Sequence, residues 1–372
     1  MSGRARAATL EQFGAPLVIR EFEVPRPDAG QIVIACSYGG VCGTDLHLQQ
    51  GHLPIPLPIV LGHEGLGVVH ELGSPTATDA LGADLKPGDR VMWASSIACG
   101  VCVPCRQHRE PTLCESRRTY GVNRPTTAEP LSGAWADYIL LDPGTTVVTV
   151  PDAVSDLAAM SFACAGPTLI HALYERRPIR LGETVIVQGS GPVGLAAAAF
   201  AHLAGAARVI IVGGPAHRLD IAKACGIGDT HLDIIGAADQ STVLDQAREL
   251  TAGRGADLVI ECTGVPAAVQ QGISLARRGG AVLIIGQYTD AGATSINPHH
   301  IVRQQLDVKG SWAFTGAHLV EYVRLLPTLA ARFDLPTLVS TFPLTQCTDA
   351  LSAVAEGAVM KAVLAGAATD QR

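Results

Sequence analysis

The segment of residues 183–194, ETVIVQGSGPVG, decides the fold of this chain. It begins with the apolar, β-branched run Thr184–Gln188, which is typical of a buried strand, and continues into closely spaced glycines. In a strand–turn–helix unit the first glycine permits the tight turn, the second lets the backbone approach a pyrophosphate, and the third lets the helix pack against the strand. The positive end of the helix dipole then faces the phosphates. The segment therefore predicts a dinucleotide-binding loop formed by Gly189, Gly191, Pro192, Val193 and Gly194.

Strands and helices alternate around and beyond this loop. The predicted strands are Thr184–Gln188, Arg208–Val212, Asp257–Glu261 and Ala281–Gly286, and the predicted helices are Leu195–Leu203, His217–Ala224 and Pro266–Ala276. Such alternation favours right-handed βαβ units and a parallel sheet. Before Val150, in contrast, short β-branched runs are separated by Gly and Pro turns, and mixed elements return from about Val308. The sequence predicts an α/β fold in which a β-rich domain is interrupted by an inserted doubly wound domain.

Composition excludes several classes of protein. The 372 residues are 48% hydrophobic and 16% charged, far from the composition of disordered chains. A net charge of −7 offers no cationic surface to nucleic acid. Residues 1–10 lack the apolar stretch of a secretory signal, and the alanine-rich segment 194–214 carries His202 and Arg208, so we interpret it as helix plus strand rather than a membrane span. We expect a cytoplasmic protein with no nucleic-acid or membrane partner.

Four of the ten cysteines crowd into the segment CGVCVPCRQHREPTLC. They are Cys99, Cys102, Cys105 and Cys114. Four thiolates so close in sequence can complete a tetrahedral shell around Zn²⁺ and leave no position for water, which is the pattern of a structural site. An iron–sulfur cluster also uses four cysteines, but redox clusters normally show other spacings. The spacing predicts structural zinc, with a cluster or four unrelated thiols as the alternatives.

The second predicted strand of the doubly wound domain ends without an acidic residue. An Asp or Glu at this point binds the adenine-ribose hydroxyls of NAD and repels the extra phosphate of NADP. Here the chain has Gly213. His217 or Arg218 in the following helix either reaches a phosphate of the cofactor or is an ordinary solvated surface residue. The sequence therefore leaves the choice between NAD and NADP open.

A third, dispersed set of residues consists of Cys42, Thr44, Asp45 and His47 in VCGTDLH, His63 and Glu64 in LGHEGLG, and Cys164 in SFACAGPT. Each of them alone has an ordinary structural explanation. Together, two cysteines and one histidine supply three zinc ligands and leave a fourth position for water or substrate, which is the catalytic pattern.

At this point the chain resembles the zinc-dependent alcohol dehydrogenases of the medium-chain dehydrogenase/reductase superfamily. The resemblance rests on motifs in the family's order: CGTDLH at 42–47, LGHEGLG at 61–67, LKPGDRV at 85–91, the four-cysteine segment, CAGPT at 164–168 and GSGPVG at 189–194. It implies a GroES-like catalytic domain at residues 1–165 with a zinc lobe at about 97–116, a Rossmann cofactor domain at 166–307, and a return segment at 308–372 that completes the catalytic domain. It also implies homodimers or homotetramers.

The resemblance assigns roles to individual residues. It implies catalytic zinc ligands at Cys42, His63 and Cys164, an adjacent carboxylate at Glu64, an orienting carboxylate at Asp45, a proton relay from Thr44 to His47, a nicotinamide contact at Thr168 and a pyrophosphate contact at Lys361. With the four-cysteine lobe, two zinc ions per chain are expected. Two departures stand out: eight residues separate Cys105 from Cys114 where the family usually has seven, and Gly213 occupies the ribose-binding position.

The expected activity is reversible hydride transfer between an alcohol and NAD or NADP. Many polyol and threonine dehydrogenases of the superfamily have a glutamate where this chain has Cys164, so the cysteine favours simple primary or secondary alcohols. Two alternatives remain at this stage: an NADPH-dependent reductase of activated carbonyls on the same fold, and a non-catalytic, zinc-held binding protein.

Overall fold

The computed structural model describes residues 3–74 and 76–371. The described chain divides into two compact units. The first lies within Met1–Cys164, Phe314–Thr328 and Leu338–Arg372, and the second comprises Ala165–Ala313 and Leu329–Thr337.

The N-terminal part of the first unit is rich in short strands. They are β1 Arg4–Leu10, β2 Val18–Glu23, β3 Ile32–Val41, β4 Ile59–Val60, β5 Gly65–Leu72, β6 Arg90–Trp93, β7 Ser96–Ile97, β8 Arg118–Thr119, β9 Tyr138–Leu141 and β10 Val147–Thr149; the helices are α1 Gly43–Gln49 and α2 Asp156–Ser161. Strands β2, β1 and β4 form a three-stranded antiparallel sheet, and β7 pairs with β8.

The second unit has the alternating pattern that the sequence predicts. Its strands are β11 Thr184–Gln188, β12 Arg208–Gly213, β13 Thr230–Asp233, β14 Ala256–Glu261, β15 Ala276–Ile284 and β16 Asp307–Gly310; its helices are α3 Ala165–Ile170, α4 Pro192–Leu203, α5 Ala216–Ala224, α6 Gln240–Glu249, α7 Pro266–Leu275 and α8 Pro298–Gln304. The strands form one parallel sheet in the order β13-β12-β11-β14-β15-β16. This is the strand order of a Rossmann fold.

The last part of the chain contributes α9 Gly316–Arg332, β17 Val339–Pro343, α10 Cys347–Ala355 and β18 Lys361–Ala365. Shorter 3₁₀ or π turns cover Pro104–His108, Pro111–Leu113, His171–Arg176, Pro336–Leu338, Leu344–Gln346 and Ala367–Gln371. Strands β17 and β18 extend the main sheet of the first unit, whose path is β10-β6-β5-β3-β18-β17 with β9 also paired to β3. The C-terminal segment thus completes a sheet that the N-terminal residues begin.

The ten-residue strand β3 organises the first unit. Its first half pairs with β9 and its second half with β18, while β5 lies on the other side. The register places Ala362 opposite Val41, so Lys361 lies beside the point where β3 ends and α1 begins. Long-range pairing therefore brings the end of the chain to residues 41 and 42.

The central strand of the second unit explains why its sequence is continuously apolar. Val185, Ile186 and Val187 of β11 are fully buried, as is typical of a strand inside a parallel sheet. Burying each such side chain stabilises the fold by about 1.5–3 kcal/mol. The close approach of α4 to β11 requires Gly194, since a Cβ there would lie 2.0 Å from the carbonyl oxygen of Gly189.

The predicted fold class is confirmed: a β-rich unit is interrupted by a doubly wound α/β unit. The prediction did not include β13 and α6, because Thr230–Asp233 and Gln240–Glu249 are too polar to show a clear apolar period. The second unit also extends past residue 307, since β16 pairs with β15. Within the described ranges, no helix is both long and apolar enough to cross a membrane.

Candidate functional site

The first group of candidate residues surrounds the start of α1. Cys42 follows β3 and precedes the helix, and its backbone N–H donates to Asp45 Oδ2 at 2.8 Å. The other oxygen of the same carboxylate lies 3.3 Å from Nδ1 of His63, and Asp45 is fully buried. The Asp45 carboxylate therefore accepts a hydrogen bond at the start of α1 and also fixes the orientation of the His63 ring through Nδ1. This leaves Nε2 of His63 available to bind a metal.

Long-range folding brings four possible ligands together. Cys42, His63, Glu64 and Cys164 each offer one ligand atom, and these atoms lie within 4.8 Å of one another. Glu64 Oε1 is buried and has no hydrogen-bond partner among the described residues. Two sulfurs, an imidazole nitrogen and an orphaned carboxylate oxygen form a donor set that fits Zn²⁺.

The electrostatics of this group favour a cation. The hydrogen bond between the two thiols is the main cause that lowers the pKa of Cys42 well below its ordinary value and raises the pKa of Cys164 well above it. Burial opposes charge on His63, but the neighbouring Asp45 carboxylate raises the pKa of this histidine well above its ordinary value. One thiolate is thus already favoured, and a divalent ion at the same position replaces the remaining proton.

Lys361 lies against this group. Its Nζ donates to Glu64 Oε2 at 2.5 Å and to the Val41 carbonyl at 3.1 Å, and the side chain is buried. The sequence resemblance places Lys361 near a pyrophosphate contact. The structure instead commits its ammonium to Glu64, because the pairing of β18 with β3 places Lys361 inside the unit.

The four cysteines of the predicted lobe also converge. The sulfurs of Cys99, Cys102, Cys105 and Cys114 lie within 4.8 Å of one another. Backbone N–H groups of the same segment donate to them, from Cys99 to the sulfur of Cys114 at 3.2 Å and from Cys102 to the sulfur of Cys99 at 3.4 Å. Backbone donors lower the pKa of Cys99 to about 6, whereas desolvation raises the pKa of Cys105 to about 12. Backbone N–H donors to cysteine sulfur suit a thiolate–zinc centre.

The lobe contains a widened turn. Pro104–His108 forms a π turn, and Arg109 after it adopts a left-handed conformation with φ of 58°. Cys105 and Cys114 are nine positions apart, and the four sulfurs of the lobe still lie within 4.8 Å of one another.

The glycine-rich loop lies at the carboxyl end of β11, as the sequence predicts. Gly191 caps α4, Pro192 occupies the first turn, and Val193 and Gly194 follow. The free N–H groups and positive dipole of the helix start are suited to a pyrophosphate. Thr168, a predicted nicotinamide contact, lies on α3 and is partly buried.

Gly213 has a steric reason to lack a side chain. A Cβ at this position would lie 2.8 Å from both the backbone nitrogen and the Oγ of Ser190. The Ser190 hydroxyl is itself bonded to the N–H and carbonyl of Gly214, each at 3.0 Å. The close packing of these two loops excludes an acidic side chain at the ribose-binding position.

Arg218 is folded back toward the glycine-rich loop. Its Nη1 is 3.9 Å from the position that a Cβ of Gly191 would occupy, and its Nε is buried without a hydrogen-bond partner among the described residues. Burial lowers the pKa of this guanidinium. His217, in contrast, is exposed. An incompletely paired Arg218 beside the loop is suited to bind an anion.

Two neighbours of the site have no role assigned from the sequence. Asp233 pairs with Gly213 across the parallel sheet, and its Oδ1 lies 2.6 Å from the position of a Cβ on Gly214. A carboxylate is thus present beside the ribose-binding position on the adjacent strand. The signal for it was missing because β13 itself has no apolar pattern.

The second neighbour is His52. Its Nδ1 lies 3.1 Å from Nδ1 of His47, so the two imidazoles share a hydrogen bond. Burial and the nearby His52 lower the pKa of His47. The five-residue spacing in HLQQGH is the only sequence signal for this pair.

Two family models match the chain. Residues 28–152 match the alcohol dehydrogenase GroES-like domain, and residues 192–328 match the zinc-binding dehydrogenase domain. The chain is also similar to 5-exo-hydroxycamphor dehydrogenase from Pseudomonas putida, with 31% identity over 97% of this chain and 98% of the relative.

Solved structures show the same similarity. An alcohol dehydrogenase from Thermotoga maritima superposes with a TM-score of 0.92 at 33% identity, and the match covers 98% of this chain and 100% of that one. A zinc-binding dehydrogenase from Sinorhizobium meliloti, solved with NADP bound, gives a TM-score of 0.84 at 27% identity over 98% and 99% of the two chains.

Proposed function

This chain belongs to the zinc-dependent alcohol dehydrogenases of the medium-chain dehydrogenase/reductase superfamily, and we propose that it oxidises a secondary alcohol reversibly to a ketone. As a member of that family it is an NAD(P)-dependent oxidoreductase acting on CH–OH groups. The observation that carries the proposal is the convergence of Cys42, His63, Cys164 and the orphaned oxygen of Glu64 within 4.8 Å.

We assign two zinc ions to the chain. Cys42, His63 and Cys164 hold the catalytic ion, with Glu64 adjacent, and the four lobe cysteines hold the structural ion. When bound, the catalytic zinc supplies a Lewis acid that lowers the pKa of an alcohol hydroxyl, and the nicotinamide supplies the hydride acceptor. The lobe has no ligand position to spare, so its role is to stabilise the fold.

The side chains of α1 provide the exit for the hydroxyl proton. Thr44 and His47 are three residues apart, and residues at this spacing share a helix face. In alcohol oxidation, Thr44 accepts the substrate proton on its hydroxyl oxygen and releases its own hydroxyl proton toward His47; His47 then passes a proton through the shared hydrogen bond to the exposed His52. In ketone reduction the same groups deliver a proton in the opposite direction.

The proposed substrate class is a secondary alicyclic alcohol. Two observations support it: Cys164 stands where polyol and threonine dehydrogenases often have a glutamate, and the hydroxycamphor dehydrogenase matches nearly the whole chain. The predicted homodimer or homotetramer and the predicted cytoplasmic location stay predictions.

Turnover assays with a panel of alcohols test this function. The zinc-loaded protein is incubated with alicyclic secondary alcohols, primary alcohols, a polyol and L-threonine, each with NAD⁺ and with NADP⁺, and the corresponding ketones are assayed in reduction. We expect the highest kcat/KM for the alicyclic secondary alcohols. A higher kcat/KM for L-threonine or for the polyol would contradict the assigned class, and a protein that turns over no alcohol with its zinc in place would refute the activity.

A further inference from the structure

Two adjoining cavities lie in the second unit, away from the glycine-rich loop in sequence. The first, of about 400 Å³, is lined by residues of α6, the loop after it, the start of β15 and α8. The second, of about 630 Å³, shares Arg248, Ser274, His300 and Gln304 with the first. The four shared residues make the two cavities direct neighbours, and together they are called the groove below. No residue between 183 and 218 lines either of them.

The first cavity is strongly cationic. Its charged or titratable lining consists of Arg248, Arg254, Arg278, Arg303, His299 and His300, and no Asp or Glu is among the described residues that line it. Four guanidinium groups around 400 Å³ contrast with the net charge of −7 of the whole chain. A concave surface lined with charge of one sign concentrates the potential and attracts small anions.

Most of this charge is not neutralised within the protein. Arg248 is paired with Asp245 at 2.7 Å. Arg254, Arg278 and Arg303 are exposed and make no ion pair with any described residue, and no described carboxylate lines this cavity. Guanidinium groups bind phosphate through two parallel hydrogen bonds, which makes several unpaired arginines in one cavity suited to a phosphorylated ligand.

The second cavity differs in character. Apart from Arg248 and His300, its lining is uncharged and includes Ile273 and Ile296 beside Gln270, Thr294 and Ser295. Such a mixture of apolar contacts and neutral hydrogen-bonding groups suits the organic part of a small molecule. The groove therefore has a cationic end and a neutral end.

We propose that this groove binds a small organic molecule bearing at least two phosphate groups, with the phosphates in the cavity of Arg254, Arg278 and Arg303 and the uncharged body in the cavity of Ile296. Each of the two cavities, of about 400 and 630 Å³, is within the size range of small-molecule sites. The proposal is independent of the dehydrogenase reaction, since it names none of the residues assigned to zinc or to the dinucleotide.

Isothermal titration of the full-length, zinc-loaded protein tests the proposal. The probes are pyrophosphate, which carries the charge alone, and glucose 1,6-bisphosphate, which adds a neutral body. We expect the sugar bisphosphate to bind more tightly than pyrophosphate, and the double variant Arg254→Ala/Arg278→Ala to weaken both by at least tenfold. Arg254→Lys/Arg278→Lys, which keeps the charge, should restore part of the affinity.

Three comparisons decide the outcome. Arg180→Ala removes an exposed arginine of the same unit outside the groove and should leave the affinity of both probes unchanged. Arg218→Ala tests the glycine-rich loop, so loss of probe binding in this variant, with binding intact in the double variant, would overturn the proposal. Absence of binding to the parent protein would overturn it too. Equal affinity for the two probes would overturn the assignment of the neutral end. NADPH affinity, measured by fluorescence, verifies that each groove variant is folded.

Discussion

Nζ of Lys361 lies 2.5 Å from Oε2 of Glu64, and both side chains are buried although the residues are 297 positions apart. The bond occupies one carboxylate oxygen and leaves the other, Oε1, facing the ligand group without a hydrogen-bond partner among the described residues. Lys361 thereby fixes the orientation of the carboxylate beside the proposed catalytic zinc. The C-terminal strand thus contributes to a site whose proposed ligands all precede residue 165.

Replacing Lys361 with Met tests this relationship. The change leaves a buried carboxylate without its counter-charge, which costs about 3–5 kcal/mol of unfolding free energy in comparable pairs. Urea unfolding of the zinc-loaded protein measures the loss. The double variant Lys361→Met/Glu64→Gln, which also removes the carboxylate charge, should recover much of the stability. A single variant as stable as the parent would show that the pair does not stabilise the fold.

The two metal groups should respond differently to serine substitution. Cys105→Ser removes one ligand of the lobe and should lower the zinc content from two ions to one and reduce the unfolding free energy, since structural zinc contributes directly to folding. Cys42→Ser should abolish turnover and leave the fold, the lobe zinc and cofactor binding intact. Metal analysis, thermal unfolding and NADPH titration compare the variants. If both variants lost the same property, the assignment of the two roles would fail.

The pH dependence of alcohol oxidation should report on His47 and His52. The relay needs neutral His47, and burial together with His52 holds its pKa below the ordinary value of 6.5, so oxidation should weaken only as the pH falls below that value. His52→Asn removes the repulsion from a second imidazole. The pKa of His47 should then rise, and the acid limb of the kcat profile should move to higher pH.

His47→Gln provides the matched measurement. It should slow oxidation by roughly 10- to 1,000-fold, the usual range of general acid–base catalysis, and imidazole buffers should restore part of the rate. An unchanged profile in His52→Asn would remove His52 from the relay, and an unchanged rate in His47→Gln would remove the relay altogether.

Arg218 should determine cofactor choice. We expect its guanidinium, whose Nε is buried without a hydrogen-bond partner among the described residues, to contact the 2′-phosphate of NADP; a hydrogen bond to a charged group contributes about 1.5–3 kcal/mol, or roughly 10- to 150-fold in affinity. Arg218→Ala should therefore weaken NADPH binding selectively and leave NADH binding unchanged. Fluorescence titration with the two reduced cofactors measures this directly, without turnover.

Asp233 supplies the opposite test. Its carboxylate lies beside Gly214, where Oδ1 accepts the backbone N–H groups of Ile235 and Gly236 at 3.0 and 2.9 Å, so Oδ2 is the oxygen we expect to accept a hydrogen bond from the ribose of NAD. If Asp233→Asn weakened NADH binding and Arg218→Ala changed the affinity for neither cofactor, the ribose would be bound by the carboxylate of β13 and not by the arginine. Gly213→Asp does not test the ribose contact alone, because its Cβ would lie 2.8 Å from the backbone nitrogen of Ser190. It should displace the loop and thereby weaken the binding of both cofactors.

The sequence by itself determined the features that depend on local spacing. Thr184–Gln188 and the glycines after it specify the first strand and loop of the Rossmann unit. Both signals, the apolar run and the glycine that permits close helix packing, lie in consecutive residues. The proximity of the four lobe cysteines follows from their position within sixteen residues, from Cys99 to Cys114. The family resemblance added the set of Cys42, His63 and Cys164, which no local pattern would join.

Only the tertiary structure decided which distant groups meet. The pairing of β18 with β3 places Lys361 against Glu64, whereas the resemblance had implied a pyrophosphate contact. The parallel register of β12 and β13 places Asp233 beside Gly213, where β12 ends without an acidic residue. The cationic groove likewise assembles arginines from separate elements, none of which carries a motif. These contacts depend on strand register and loop packing across tens to hundreds of residues, and a local period in the sequence contains no information about either.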